Sequence, residues 1–242
     1  MPTLKEIGFD VRYIPSEEVA ALLVGKSEEE RNKITVEDYN KNYKQRNVEF
    51  RYQTRCIASF YERCFKSYKN DKCWKILIEC VPNVNREPMA VLGIYHVQVS
   101  FDINDFFKLD DLEKKRKTLE LINTAVSEVV KKENWDEAIF ENAYNRVIKE
   151  NYVNKWVWKK PKNNPGRKYL AKVLLEHDIY SCDISIIITD KKEQVIKRKL
   201  VVKEKPSEWM FAKYFGNLKW LSNKEVALID RSGSIVCRVN VD

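Results

Sequence analysis

The chain has 242 residues, with 44 Lys plus Arg against 36 Asp plus Glu, a net charge near +8 and 44% hydrophobic residues. That composition suits a folded protein and is too apolar for a disordered one. Its six glycines include no GxG pair, which removes the dinucleotide fingerprint, the P-loop and the nucleophile elbow as starting points.

The opening, MPTLKEIGFD, lacks the basic-then-apolar profile of a secretory signal. No stretch approaches the roughly 20 apolar residues of a spanning helix. A cytoplasmic protein with no membrane partner is expected. Six cysteines without a CxxC pair then read as reduced, buried thiols, with no disulfide and no zinc site.

In chain order, the first forty residues predict short helices. Ser16 precedes an apolar run closed by Gly25, and Ser27 with Glu30 fits a capping box. Residues 50–68 repeat apolar side chains at three and four, from Ile57 through Phe60, Tyr61, Cys64 and Phe65, as an amphipathic helix does. Residues 75–81 and 91–101 read as strands, the second by strict alternation. Helices follow over 109–132 and 134–151. The remainder predicts hairpins: 155–160 with 169–178, 182–189 with 195–203, and 226–230 with 235–241. A short helix is expected at 207–215, stopped by Gly216. The expected fold is α+β, a single unit over 1–242. Its first 70 residues are α-rich. Residues 71–242 form a mostly antiparallel sheet carrying the two helices.

Catalytic chemistry is hard to place. His96 lies in a strand among apolar and amide neighbours. Glu176, His177 and Asp178 are adjacent in a strand, so the imidazole points away from both carboxylates and the three cannot converge on one ion. Asp102, Asp105, Asp110 and Asp111 lack the spacing of a calcium loop, and Asp105 or Asp110 reads as a helix cap. A non-enzymatic protein with no cofactor, no metal and no catalytic residue is expected.

Charge is distributed in blocks. Residues 1–40 carry net −4, 41–75 net +7, 155–169 net +6 and 191–205 net +5. The most distinctive block is KWVWKKPKNNPGRKY. Trp158, Lys159, Lys160, Lys162, Arg167 and Lys168 are its candidate partner-binding residues. Three uses fit: Trp and Arg anchors seated in an acidic protein partner, a basic ribbon on nucleic-acid phosphates, or a solubilised hairpin whose tryptophans are core. Lys197, Lys199, Val201 and Lys203 are expected on one strand face, guarding an edge.

At KILIECV, VLGIYHVQVSFD, WVWKKPKNNPGRKY and EWMFAKYFGNLKWLSNKEVALID the chain resembles small cytoplasmic bacterial immunity proteins. The resemblance implies a non-enzymatic α+β protein that binds and blocks a toxin domain, and transfers no functional residue. Since this chain is basic, the toxin domain it implies is acidic. Nucleic acid is the alternative partner.

Overall fold

The computed structural model describes residues 1–242, and the chain is α+β. It forms two compact units, Met1–Tyr152 and Val153–Asp242, in place of the single unit expected. No Gly- or Pro-rich linker marks the boundary. The chain turns there through Asn151 and Tyr152, both at positive φ (50° and 59°).

The N-terminal unit begins with β1 (Thr3–Leu4) and β2 (Glu6–Val11), followed by α1 (Glu17–Leu22), α2 (Glu28–Asp38) and the long α3 (Lys44–Phe65). Then come β3 (Tyr68–Lys69), β4 (Lys75–Val81), β5 (Met89–Val91) and β6 (Ile94–Ser100). Helices α4 (Ile103–Phe106), α5 (Asp111–Glu133) and α6 (Glu137–Lys149) complete it. The main sheet has the order β2-β4-β6-β5. β2, β4 and β6 run parallel, and β5 pairs antiparallel with β6.

This corrects two expectations. Short helices alone do not account for the first forty residues, because β2 is there. Residues 75–101 and 155–241 do not share one antiparallel sheet; they form separate sheets. The parallel pairing of β2 with β4 follows from the long helical crossover between them, which returns the chain in the same direction. The run 91–101 is also broken: Leu92 and Gly93 both sit at positive φ and turn the chain between β5 and β6.

One sheet face is apolar. Ile7, Phe9 and Val11 align with Ile76, Ile78 and Cys80, and these with Tyr95, Val97 and Val99, all buried. Helices α3 and α5 pack on these strands, and α6 packs on both helices. Phe50 of α3 joins Phe9 and Phe106 edge-on at 5.7 and 4.9 Å. Helix α5 has a capping box, Asp110 with Glu113, and ends at Asn134 in the left-handed conformation.

Edge strand β2 is sealed by α3. The Ile7 amide donates to Glu62 Oε1 at 2.7 Å, and Arg55 Nη1 donates to the Ile7 carbonyl at 3.0 Å. Arg55 and Glu62 in turn form a bidentate pair at 2.8 and 2.7 Å.

All six cysteines are free thiols. Burial pushes the Cys80 thiol up to about 12, with the Asp10 carboxylate adding to the effect. The folded state therefore holds that proton more tightly than the unfolded chain, where the ordinary value is 9.0. The stability this contributes is complete below pH 9 and is lost as pH rises towards 12. Denaturant midpoints of the N-terminal unit are expected to fall across that window, and to fall less in Cys80→Ala; equal slopes in both proteins would contradict the assignment.

The C-terminal unit is almost all β: β7 (Asn154–Asn163), β8 (Leu170–His177), β9 (Cys182–Thr189), β10 (Val195–Glu204), then the short α7 (Glu208–Phe211), β11 (Asn217–Trp220), β12 (Glu225–Ile229) and β13 (Ile235–Asn240). Two antiparallel sheets, β10-β9-β8-β7 and β11-β12-β13, enclose Val173, Leu175, Ile184, Ile186, Val226, Leu228 and Val239. On β10 a register shift after Leu200 breaks the expected lysine face. Lys197 and Lys199 reach main-chain carbonyls of Asp242 and Arg238, while Lys203 pairs in register with Asp183.

Candidate functional site

The basic block of 155–169 becomes the β7–β8 ribbon. Trp156 and Trp158 alternate with Lys155 and Val157, as strand geometry demands, and the two indoles pack against the core of the C-terminal unit. Trp158 stacks on Phe215 with ring centroids 5.1 Å apart, and the Lys159 ammonium lies 4.4 Å from its centroid. Both ring contacts of Trp158 are thus made within the chain. Trp158 remains half-buried, with part of its indole open to solvent.

After Trp158 the pairing with β8 is interrupted and resumes at Lys162. Lys159 sits in this bulge at φ 54°, which turns the following residues outward. The loop beyond is pinned by two asparagines. The buried Asn164 accepts the amides of Lys168 and Tyr169 at 2.8 and 3.0 Å and donates to the Asn223 carbonyl at 2.9 Å. Asn223 Oδ1 accepts the Gly166 amide at 2.8 Å. The Trp220 indole N–H donates to the Lys162 carbonyl, also at 2.8 Å. A loop held this way keeps its shape without a partner, so little ordering entropy is lost on binding.

On this frame Lys159, Lys160, Lys162, Arg167 and Lys168 are all exposed. None has a carboxylate within ion-pair distance; Lys155, at the other end of β7, is the ribbon lysine that does, through Glu176. Five cations with no internal counter-charge create a local positive field.

The other sequence candidates are placed as follows. Glu176 binds Lys155 and Arg198 on one side of β8. His177 is on the other, buried with its ring 6.3 Å from Trp156 and 5.7 Å from Phe211. Asp102 caps α4 and Asp110 caps α5, while Asp105 pairs with Lys108. His96 is on the polar face of the N-terminal sheet, where its Nδ1 meets Glu79 at 2.8 Å and Arg86 holds the other Glu79 oxygen at 2.5 Å. No third ligand-type side chain completes a metal set there or elsewhere.

Comparison with known proteins decides nothing further. No family model matches the chain, and no curated protein or solved structure is significantly similar to it. No helix is long and apolar enough to cross a membrane.

The residues that frame the ribbon were invisible locally. Asn223 is 59 positions from Asn164 and Trp220 is 58 from Lys162. The Pro161 to Gly166 turn signal was the one local hint that a fixed loop would form here.

Proposed function

We propose that this protein acts by binding rather than by catalysis, and that the ribbon holds nucleic-acid phosphates through Lys159, Lys160, Lys162, Arg167 and Lys168. The observation that supports this reading is the set of five exposed cations without carboxylate partners on a loop already fixed by Asn164, Asn223 and Trp220. Cations on a loop fixed in this way suit the phosphate backbone, and such contacts carry no sequence information by themselves.

The second reading is an acidic protein partner, such as the toxin domain that the immunity-protein resemblance implies. The same cations serve it. Its expected aromatic anchor, Trp158, is however already committed to Phe215 and Lys159, and interfaces of that kind concentrate their energy on such anchors.

The test is equilibrium binding of the full chain to mixed-sequence DNA and RNA at low salt. The variant K159A/K160A/K162A/R167A/K168A is expected to lose about 100-fold in affinity while unfolding at the wild-type midpoint, because all five side chains are exposed. Wild-type affinity in the variant contradicts the assignment. Absence of any nucleic-acid binding, with capture of polyglutamate that the variant lacks, moves the site to the second reading.

A further inference from the structure

Trp209 is 90% exposed, whereas the other bulky rings of this segment, Phe211 and Phe215, are buried or half-buried in the core of the C-terminal unit. A fully presented indole gains nothing for the fold, since the hydrophobic gain scales with area removed from water. Trp209 stands in an open cleft of about 520 Å³ with Glu208, Ala212, Lys213, Arg231 and Ser232. The walls are ordered. The Arg231 amide donates to the Lys213 carbonyl at 3.0 Å. The β12–β13 turn closes on Asp230, whose Oδ1 accepts the Ser232 hydroxyl and the Ser232 and Ser234 amides at 2.7 to 2.9 Å. The Ser232 hydroxyl and then the Ser234 amide hold the Asp230 carboxyl below the usual carboxylate range. That carboxylate is therefore spent inside its own turn. Lys213 is shared with Glu204 at 3.6 Å, and Arg231 has no carboxylate partner.

The cleft thus pairs a bare aromatic face with the Arg231 guanidinium and with Lys213, itself shared with Glu204, beside the Glu208 carboxylate. A ligand that repeats a planar ring and an anion fits that pairing, and a single nucleic-acid strand is such a ligand. The segment that carries the cleft is tied to the ribbon by ring contacts. The segment carrying Trp209 runs through Phe211 to Phe215, and Phe215 stacks on Trp158, the residue from which the ribbon cations begin.

Resting on the phosphate-binding reading above, we propose that Trp209 is a stacking platform for one unpaired base, with Arg231 and Lys213 taking the adjoining phosphate. The site is then selective for single strands, since a base inside a duplex has both faces covered. Alternation of aromatic stacking and backbone charge is how sequence-tolerant single-strand sites are built.

The experiment compares two strands of equal length, oligodeoxythymidylate and a base-free deoxyribose-phosphate chain, on the full protein, on Trp209→Ala and on Arg231→Ala. In the wild type the thymidylate strand is expected to bind about tenfold or more tighter than the base-free strand, the gain of one stacked base, and to quench tryptophan emission. Trp209→Ala should erase both the tenfold gap and the quenching while keeping the base-free affinity and the unfolding midpoint. Arg231→Ala should weaken both strands. If both strands bind the wild type equally, the platform is overturned while the ribbon stands. If neither binds at low salt, the ribbon reading fails and the platform with it. A gap that survives in Trp209→Ala, or binding of polyglutamate that Trp209→Ala abolishes with no such gap in the wild type, gives the cleft another occupant and overturns the proposal.

Discussion

Glu62→Ala is expected to cost the N-terminal unit about 3–5 kcal/mol, the loss typical of removing one partner from a buried ion pair. The carboxylate performs two tasks at once. It accepts the Ile7 amide and it neutralises Arg55, whose guanidinium in turn binds the Ile7 carbonyl. Both side chains are mostly buried, at 12% and 19% exposure. Truncation removes the carboxylate from beside the mostly buried Arg55 and reopens the backbone of an edge strand. Glu62→Gln should cost less, because an amide oxygen still accepts the Ile7 amide although the charge is lost. Urea unfolding followed by far-ultraviolet circular dichroism gives both numbers. A loss below about 1 kcal/mol in Glu62→Ala would mean that the pair behaves as an exposed one.

The second large effect falls in the other unit. Gly216→Ala is expected to cost about 3 kcal/mol or more, at the upper end of overpacking penalties. A Cβ at this position would lie 2.0 Å from the Asp230 carbonyl oxygen and 2.9 Å from that of Ile229. Both are backbone atoms of the strand and turn opposite, so no rotamer change relieves the clash. The strands must separate, and the Gly216 amide loses its 3.0 Å bond to Ile229. Gly233→Ala is the control. It has open space but φ +90°, so its penalty is conformational and about 1 kcal/mol. Because the two units have separate cores, the loss in Gly216→Ala should appear in the indole signal of Trp156 and Trp158 while α3 and α5 keep their helical signal. Concerted loss of both signals at one midpoint would show that the units unfold as one.

Much of this architecture is legible in the residues. The stripes of α5 and α6 fix those helices to within a few positions at each end: 109–132 and 134–151 were expected, and Asp111–Glu133 and Glu137–Lys149 form. The hairpins of the C-terminal unit follow from alternation and turn residues. What local pattern could not supply was pairing over distance. The strand Glu6–Val11 alternates as cleanly as any, with Ile7, Phe9 and Val11 inward, but it is short and lies beside capping signals for helices. Its parallel partner is about seventy residues away. The Val91–Phe101 alternation concealed a turn at Leu92, a residue that rarely takes positive φ.

The site was legible to the same depth. The cations of 159–168 were evident as charge. Their rigidity comes from Asn223 and Trp220, which arrive from another hairpin. Trp158 could be anchor or core in the sequence, because alternation places it on a face without saying whether that face is covered. Trp209 falls inside the short helix expected at 207–215, and only the packing of Phe211 and Phe215 leaves it outside.

The account turns on whether the ribbon holds phosphates, and the salt dependence of binding reads that directly. Affinity for a single strand is measured across salt concentrations for the wild type and for K159A/K160A/K162A/R167A/K168A. Each phosphate contact adds about −0.7 to the slope of log affinity against log salt on a single strand. The two slopes are therefore expected to differ by roughly 3.5, with the variant the shallower. Slopes that agree within about 0.7, the share of one contact, would mean that these five cations touch no phosphate and would contradict the account.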